Sequence, residues 1–231
     1  MKKILCLPYA GGSAQVFRGK FENYLDDTIR VQPIELPGRG TRFAEDLITD
    51  FSKLLNDLLY QVYTEINCDD DYALFGYSMG SKLIYEMYYE IEKMHWKRPE
   101  MLFICAAAPP EIPVIRKKKD DLSIITNMKR LGGTSDEIFA CQEMLDVFLP
   151  IMRADMQILE SYKYEDHKEK IKIPIVVQYG RYDSDIKEYI SDWKNHTVGE
   201  CFFYEYESGH FFINEEYERM TEIINKHLAG R

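Results

Sequence analysis

The five residues at 76–80, Gly-Tyr-Ser-Met-Gly, have a spacing that suits a serine nucleophile. They follow an apolar segment, 72–75, and precede a segment of helical periodicity that contains Leu83 and Ile84. The pattern Gly-x-Ser-x-Gly between a strand and a helix is typical of a nucleophile elbow, a tight turn that strains the serine backbone. Its glycines are needed because side chains there would clash with the neighbouring strand and helix. The sequence therefore predicts that Ser78 is a nucleophile.

A serine hydroxyl needs a base to remove its proton. His210 lies in Ser-Gly-His-Phe-Phe (208–212), directly after the apolar segment 201–206. Its place after the last predicted strand, and a chain order of serine, acid and histidine, favour it as the base. The other four histidines lie in charged or polar stretches or on the last helix, which predicts solvated surface positions: His95, His167, His196 and His227.

The acid that orients the base is expected at a strand end between these two residues. The apolar segment 175–179 leads into Gly-Arg-Tyr-Asp-Ser-Asp (180–185), so Asp183 is the first candidate and Asp185 the second. Glu111, after the apolar segment 101–107, is a third candidate, because some proteins of this architecture hold the acid one strand earlier.

The oxyanion of an acyl-transfer reaction needs backbone N–H donors. One is expected from Met79, the residue after the nucleophile. The other is assigned to Ala10, with Tyr9 as the alternative, in the glycine-containing segment Leu-Pro-Tyr-Ala-Gly-Gly-Ser (7–13). The same glycines could hold a phosphate, but no Gly-x-Gly-x-x-Gly or Gly-Lys-Ser/Thr pattern follows them.

The elements that must position these residues alternate between strands and helices. Six apolar segments predict strands, at 4–9, 31–36, 72–77, 101–107, 175–179 and 201–206. Amphipathic helices are predicted between and after them, the first with Thr49 as its N-cap, and others around 83–91 and 217–228. Segments that are apolar at nearly every position are typical of parallel strands covered on both faces. The pattern indicates the α/β class, with a mostly parallel, doubly wound sheet.

Residues 109–170 break this alternation, since only helical patterns occur there. One helix is expected at 122–131, a second after Thr134 or Ser135, and a third around Met152. We expect residues 1–108 and 171–231 to form the α/β core of the protein, with 109–170 inserted as a helical lid over the sheet edge where ligands bind. The alternative is that 109–170 is an ordinary long connection. Four apolar residues of this insertion could line an acyl pocket or pack the lid: Ile125, Met128, Phe139 and Met152.

Composition excludes several classes of protein. The chain has 231 residues, is 45% hydrophobic and carries a formal net charge of −10, which suits a globular protein and argues against a nucleic-acid binder. No apolar run approaches the roughly 20 residues that span a bilayer, so no membrane association is expected. The five cysteines are scattered without a Cys-x-x-Cys or zinc spacing, which predicts neither disulfides nor a metal and favours the cytoplasm: Cys6, Cys68, Cys105, Cys141 and Cys201.

Seven segments, in order over nearly the whole chain, resemble the type II thioesterases of nonribosomal peptide and polyketide synthesis. They are 7–14, 32–42 (Gln-Pro-Ile-Glu-Leu-Pro-Gly-Arg-Gly-Thr-Arg), 72–80, 129–134 (Lys-Arg-Leu-Gly-Gly-Thr), 149–155 (Leu-Pro-Ile-Met-Arg-Ala-Asp), 160–164 (Glu-Ser-Tyr-Lys-Tyr) and 208–212. The resemblance implies an α/β-hydrolase fold, a triad of Ser78, Asp183 and His210, and hydrolysis of mis-primed or stalled acyl groups from phosphopantetheinyl carrier domains. It implies no cofactor, because phosphopantetheine arrives with the substrate.

Two residues depart from the family pattern. Tyr77 stands where the family often has histidine, and Ser184 replaces a proline that often follows the acid. Neither changes a reacting atom. Two other functions remain open at this point: a generic small-molecule esterase or peptidase of the same fold, and a catalytically silent binding module. The basic run Arg116-Lys117-Lys118-Lys119 is a candidate docking site for an acidic carrier domain, or else a solvated loop.

Overall fold

A parallel six-stranded sheet forms the centre of the molecule. The computed structural model describes residues 1–66, 71–113 and 120–229. Its strands are β1 (Lys2–Leu7), β2 (Ile29–Pro33), β3 (Tyr72–Tyr77), β4 (Leu102–Cys105), β5 (Ile175–Gly180) and β6 (Cys201–Tyr206). They lie in the order β2-β1-β3-β4-β5-β6, and every neighbouring pair is parallel. The predicted parallel α/β sheet is confirmed.

Helices cover both faces of this sheet. Alternate strand residues point to opposite faces, so Leu5 and Leu74 pack in one core with the helices α2 (Phe51–Glu65) and α3 (Met79–Lys93). Ile4 and Phe75 face the other core, with the short helix α1 (Lys20–Asn23) and the C-terminal α7 (Tyr217–Leu228). Two apolar layers therefore bury the sheet, and the doubly wound arrangement is confirmed.

The described residues between β4 and β5 form three helices: α4 (Asp121–Leu131), α5 (Asp136–Ala140) and α6 (Gln142–Ser161). The sequence predicted three helices here, but it placed the break between the second and the third helix near Met152. The break falls at Cys141, whose backbone is extended, and α6 continues through Pro150. Pro150 removes one backbone donor, yet Leu149 and Met152 on either side of it are both buried, and this packing keeps the segment in one helix.

Other predictions at element ends need correction. Asp50, not Thr49, caps α2, because its side chain accepts from the Lys53 amide at 2.9 Å. The start of α5 needs no correction, because Ser135, one of the two predicted N-caps, occupies that position. The second strand ends at Pro33; Ile34 and Leu36 follow it in a loop and stay buried because they pack against the helices on that face.

The surface positions predicted for two histidines are wrong. His196 is buried and bonds to Glu111, and His227 is buried beside the Tyr204 hydroxyl at 2.9 Å. Among the described helices, none is both long and apolar enough to cross a membrane. The basic run at 116–119 lies outside the described residues.

Candidate active site

The turn between β3 and α3 holds Ser78 in strained backbone. Its φ is +53° and its ψ −107°, in a region that residues with side chains rarely adopt. A Cβ at Gly76 would overlap the backbone of Gly80, and a Cβ at Gly80 would overlap the carbonyl of Leu7. These contacts confirm why the turn needs both glycines.

Hydrogen bonds fix this turn to the neighbouring strand. The Ser78 amide donates to the Cys105 carbonyl at 2.7 Å. The buried Ser81 hydroxyl lies 2.7 Å from the carbonyl oxygen of Gly76 and 2.9 Å from that of Cys105. Leu7 at the end of β1 lies opposite Gly76, so the loop after β1 begins beside the same turn. Ser78 is therefore held at the carboxyl edge of the sheet.

His210 joins Ser78 to Asp183. Its Nδ1 lies 2.6 Å from Asp183 Oδ2, and its Nε2 lies 3.0 Å from Ser78 Oγ. An ionised carboxylate only accepts hydrogen bonds, so Nδ1 carries the proton in this arrangement. Nε2 is then free to accept from the Ser78 hydroxyl. Asp183 is only 3% exposed, which shields this chain of hydrogen bonds from water.

The loops after β5 and β6 run side by side and bring Asp183 to His210. Arg181 donates its amide to the Tyr206 carbonyl at 2.8 Å, and Tyr182 donates its amide to that of Ser208 at 3.0 Å. These bonds extend the pairing of the two strands beyond their ends. The neighbouring strands β5 and β6 therefore place Asp183 and His210 next to each other.

The Tyr77 hydroxyl binds the backbone of the loop that contains His210. It donates to the His210 carbonyl at 2.6 Å and accepts from the Ile213 amide at 3.3 Å. Burial raises the pKa of the Tyr77 phenol well above its usual value, so the hydroxyl keeps the proton that it donates. This residue, where the resembling family often has histidine, thus fixes the backbone of His210.

The two alternative acids lie elsewhere. Asp185 pairs with Arg130 of α4 at 2.6 Å. Glu111 lies 3.0 Å from His196. Of the three predicted acids, the structure brings only Asp183 into contact with His210.

The predicted oxyanion donors lie beside Ser78. Ala10 and Met79 line one cavity together with Ser78. In the loop after β1, the Gly11 amide donates to Asp155 at 2.7 Å and the Gly12 amide donates to the Tyr9 carbonyl at 2.9 Å. Since those two donors are engaged, this loop can offer the amide of Ala10 or that of Tyr9 to a reacting carbonyl.

The cavity above Ser78 has a volume of about 840 Å³, within the ordinary range for a small-molecule site. Met128 and Met152 line it, whereas Ile125 and Phe139 pack among α4–α6 instead. All four residues therefore pack in the cluster formed by these helices, and Met128 and Met152 line the cavity as well. Within the described ranges, no group of three or more His, Cys, Asp or Glu side chains is placed to hold a metal ion.

Two features of the site were missed from sequence. Arg39 forms a double hydrogen bond with Asp155, both at 2.6 Å, and both side chains are buried. Lys82 is also buried and lines the cavity. One signal in the sequence could have revealed the ion pair. Asp155 is a charged residue on the apolar face of α6, beside Met152 and Met156.

Two biosynthetic proteins are similar to this chain over nearly its whole length. Thioesterase PikA5 of Streptomyces venezuelae is 28% identical over 231 residues, which cover 98% of this chain and 80% of that relative. Gramicidin S biosynthesis protein GrsT of Aneurinibacillus migulanus is 29% identical over 98% of this chain and 88% of its own length.

Solved structures agree with these relatives. RedJ, a thioesterase from the prodiginine pathway of Streptomyces coelicolor, superposes with a TM-score of 0.91 at 28% identity, covering 98% of this chain and 90% of that one. ClbQ, from the colibactin NRPS/PKS pathway, gives 0.90 at 28% identity, covering 97% and 95%. The family model described as the thioesterase domain matches residues 2–228. The chain therefore belongs to the thioesterase family and is a thioester hydrolase of the α/β-hydrolase fold.

Proposed function

We propose that the protein is an editing thioesterase, which removes acyl or aminoacyl groups from the phosphopantetheinyl carrier domains of nonribosomal peptide or polyketide synthases. The observation that carries this proposal is the hydrogen-bonded chain of Ser78, His210 and Asp183 at the wall of the cavity. Relatives named for gramicidin S biosynthesis and for the prodiginine pathway support the choice of substrate.

Ser78, His210 and Asp183 have the roles of nucleophile, base and orienting acid. The Ser78 hydroxyl gives its proton to His210 Nε2 while Oγ bonds to the thioester carbonyl carbon. The C–S bond then breaks, and His210 returns the proton to the departing thiolate. Water next attacks the acyl-enzyme, and its proton passes through His210 to Ser78 Oγ as the acid leaves. Asp183 keeps the imidazole in the required tautomer throughout.

The N–H groups of Met79 and Ala10 stabilise the oxyanion of both tetrahedral intermediates. The start of α3 behind Ser78 adds to this effect, because a helix N-terminus favours nearby negative charge. The enzyme needs no metal or cofactor of its own, since the phosphopantetheine arm enters as part of the substrate. The expected site of this work is the cytoplasm, where the synthases would supply acylated carriers.

Residues 109–170 act as a lid over the acyl chain. Its helices α4–α6 supply Met128 and Met152 to the cavity wall, opposite Ser78. Arg130 on α4 pairs with Asp185 in the loop that carries the proposed acid, so the lid contacts the catalytic loops directly. A carrier that docks at this rim would direct its arm towards Ser78.

The test is release of acyl groups from a panel of acyl-loaded carrier domains. We expect the wild type to release them and Ser78→Ala to lose about 10⁴-fold or more in turnover while remaining folded. A Ser78→Ala variant with even a tenth of the wild-type turnover would contradict the assignment of the nucleophile.

Two further measurements separate the alternatives. Faster hydrolysis of free oxygen esters than of carrier thioesters would identify a generic esterase. Failure of a fluorophosphonate to label Ser78 would identify a catalytically silent binding module. Labelling of the wild type but not of Ser78→Ala supports the proposal, and circular dichroism checks that the variant is folded.

A further inference from the structure

A buried lysine lines the acyl cavity one helical turn from the nucleophile. Lys82 follows Ser78 by four residues and lies near the start of α3, and both residues line the same cavity. Its side chain is 6% exposed and lines the cavity with Ala108, Ile112 and Leu159. A hydrocarbon chain would gain nothing from a cation in this apolar wall.

In the described part of the chain, the ammonium of Lys82 bonds to backbone carbonyls and not to a carboxylate. Its Nζ donates to the backbone carbonyls of Pro110 and Ile112 at 3.3 and 3.4 Å, both long for a charged donor. It also lies 5.3 Å from the ring centre of Tyr162. Among the described residues, no carboxylate lies within 4.0 Å of it. A buried ammonium without a carboxylate partner destabilises the folded protein, and a bound anion would offset this destabilisation.

The two nearest carboxylates serve other partners. Glu86 accepts from the Tyr162 hydroxyl at 2.5 Å and lies 3.0 Å from His167. Glu111 lies 3.0 Å from His196. Burial lowers the pKa of Lys82 from its usual value to about 8, and this effect exceeds the opposing attraction of both glutamates. The surroundings, taken together, still disfavour the positive charge.

We propose that the acyl site takes an acyl group that carries a carboxylate, and that the ammonium of Lys82 binds this carboxylate. The inference rests on the proposed function and specifies its substrate class. Ser78 attacks the thioester carbonyl at the start of α3 while Lys82, at the end of the first turn, holds the distal end of the same acyl group. The helix N-terminus favours the same negative charge.

The test compares three N-acetylcysteamine thioesters of equal length, whose acyl chains end in a carboxylate, a carboxamide or a methyl group. Chains of four, five and six carbons cover the reach between Ser78 and Lys82. At pH 7 we expect the wild type to prefer the carboxylate to the carboxamide by about 10- to 100-fold in kcat/KM at the best length, as a charge-assisted hydrogen bond would give. Lys82→Met should remove this preference, so that its kcat/KM values no longer favour the carboxylate-ended thioester over the carboxamide.

The control is Lys93→Met, which makes the same change at the exposed end of the same helix and should leave all three rates unchanged. Equal wild-type rates for carboxylate and carboxamide at every length would overturn the inference, whether or not Lys82→Met folds. If the wild type, but not Ser78→Ala, hydrolyses the methyl-ended thioester without any carboxylate preference, the proposed function stands and this inference fails. Hydrolysis of none of the thioesters would overturn both.

Discussion

At the scale of single residues, Asp183, the proposed acid, can be distinguished from its neighbour Asp185 by substituting each in turn. Asp183 and Asp185 lie two positions apart, but only Asp183 contacts His210. Asp183→Asn should lower kcat about 10⁴-fold, because the amide favours the wrong imidazole tautomer. Asp185→Asn should leave kcat within a few-fold, since it weakens only the exposed pair with Arg130. Steady-state turnover of both variants checks this, and a larger loss in Asp185→Asn would move the acid to that residue.

Lys82 should also carry a measurable cost in stability. Its pKa falls from 10.5 to about 8, so the folded protein releases this proton at a lower pH than the unfolded chain. The cost is complete below pH 8 and disappears as the pH rises through 10.5. Lys82→Met should therefore raise the free energy of unfolding at pH 7 by up to about 3 kcal/mol, and the gain should shrink towards pH 10.

Urea unfolding at pH 7 and pH 9.5 measures this difference. The charged and titratable groups around Lys82 are Glu86 on α3, Glu111 after β4 and Tyr162 after α6. Burial raises the pKa of Tyr162 far above the tested window, and the glutamates are the two groups that oppose the shift of Lys82. A gain that does not change with pH would show that packing, not the buried charge, is responsible. A stability cost retained for substrate binding is a common feature of functional sites.

At the scale of elements, one buried ion pair joins three segments of the site. Arg39 lies in the loop after β2, and Asp155 lies on α6. Asp155 accepts from the Gly11 amide and Arg39 donates to the Gly12 carbonyl, so the pair holds the backbone of these two glycines from both sides. Asp155 is fully buried, so removing its charge leaves the Arg39 guanidinium buried without a charged partner. The pair therefore couples α6 to the loop that carries Ala10.

Asp155→Asn should destabilise the protein by about 3–5 kcal/mol and lower kcat more than it raises KM. The kinetic effect follows because the loop beside the proposed oxyanion donor loses its support. The matched control is Arg153→Gln on the same helix, which breaks an exposed pair with Asp121 and should cost less than about 1 kcal/mol. Thermal unfolding and steady-state kinetics check both. Equal effects of the two variants would show that the buried pair has no special role.

Comparison of the predicted with the observed elements shows which parts of the fold and the site could be predicted from the sequence. Strands such as β3 and β6 are apolar and bounded by loops, so their ends were predicted correctly. The spacing of the turn at Ser78, and the order of Ser78, Asp183 and His210, are local or sequential signals. The side chains that these signals named are in hydrogen-bond contact, although their catalytic roles remain proposals.

The features that were not predicted depend on distant partners. Arg39 and Asp155 are 116 positions apart, and no local pattern relates them. His196 looked like a surface residue because its partners, Glu111 and Tyr85, come from other elements. The passage of α6 through Pro150 depends on burial of residues on either side of it, which periodicity alone does not report.

At the scale of the whole molecule, a net charge of −10 should repel an acidic carrier domain. Repulsion between exposed charges is screened beyond about 8 Å at physiological ionic strength, so a local basic patch could still direct docking. The candidate patch, 116–119, is predicted from sequence only. Rim charges act chiefly on the rate of association and its salt dependence, whereas hydrolysis of a small free thioester requires no docking.

Reversal of Lys117, Lys118 and Lys119 to Glu should therefore lower kcat/KM for carrier-bound thioesters and flatten its dependence on salt. Hydrolysis of an acyl-N-acetylcysteamine should not change. The control reverses three exposed lysines elsewhere, Lys163, Lys168 and Lys170, which gives the same net charge without touching the patch. If net charge alone governed encounter, both triple variants would slow carrier turnover equally; if the patch docks the carrier, the first should be slower by about tenfold at low salt. Equal losses in the two variants, or a parallel loss on the free thioester, would contradict a docking role for 116–119.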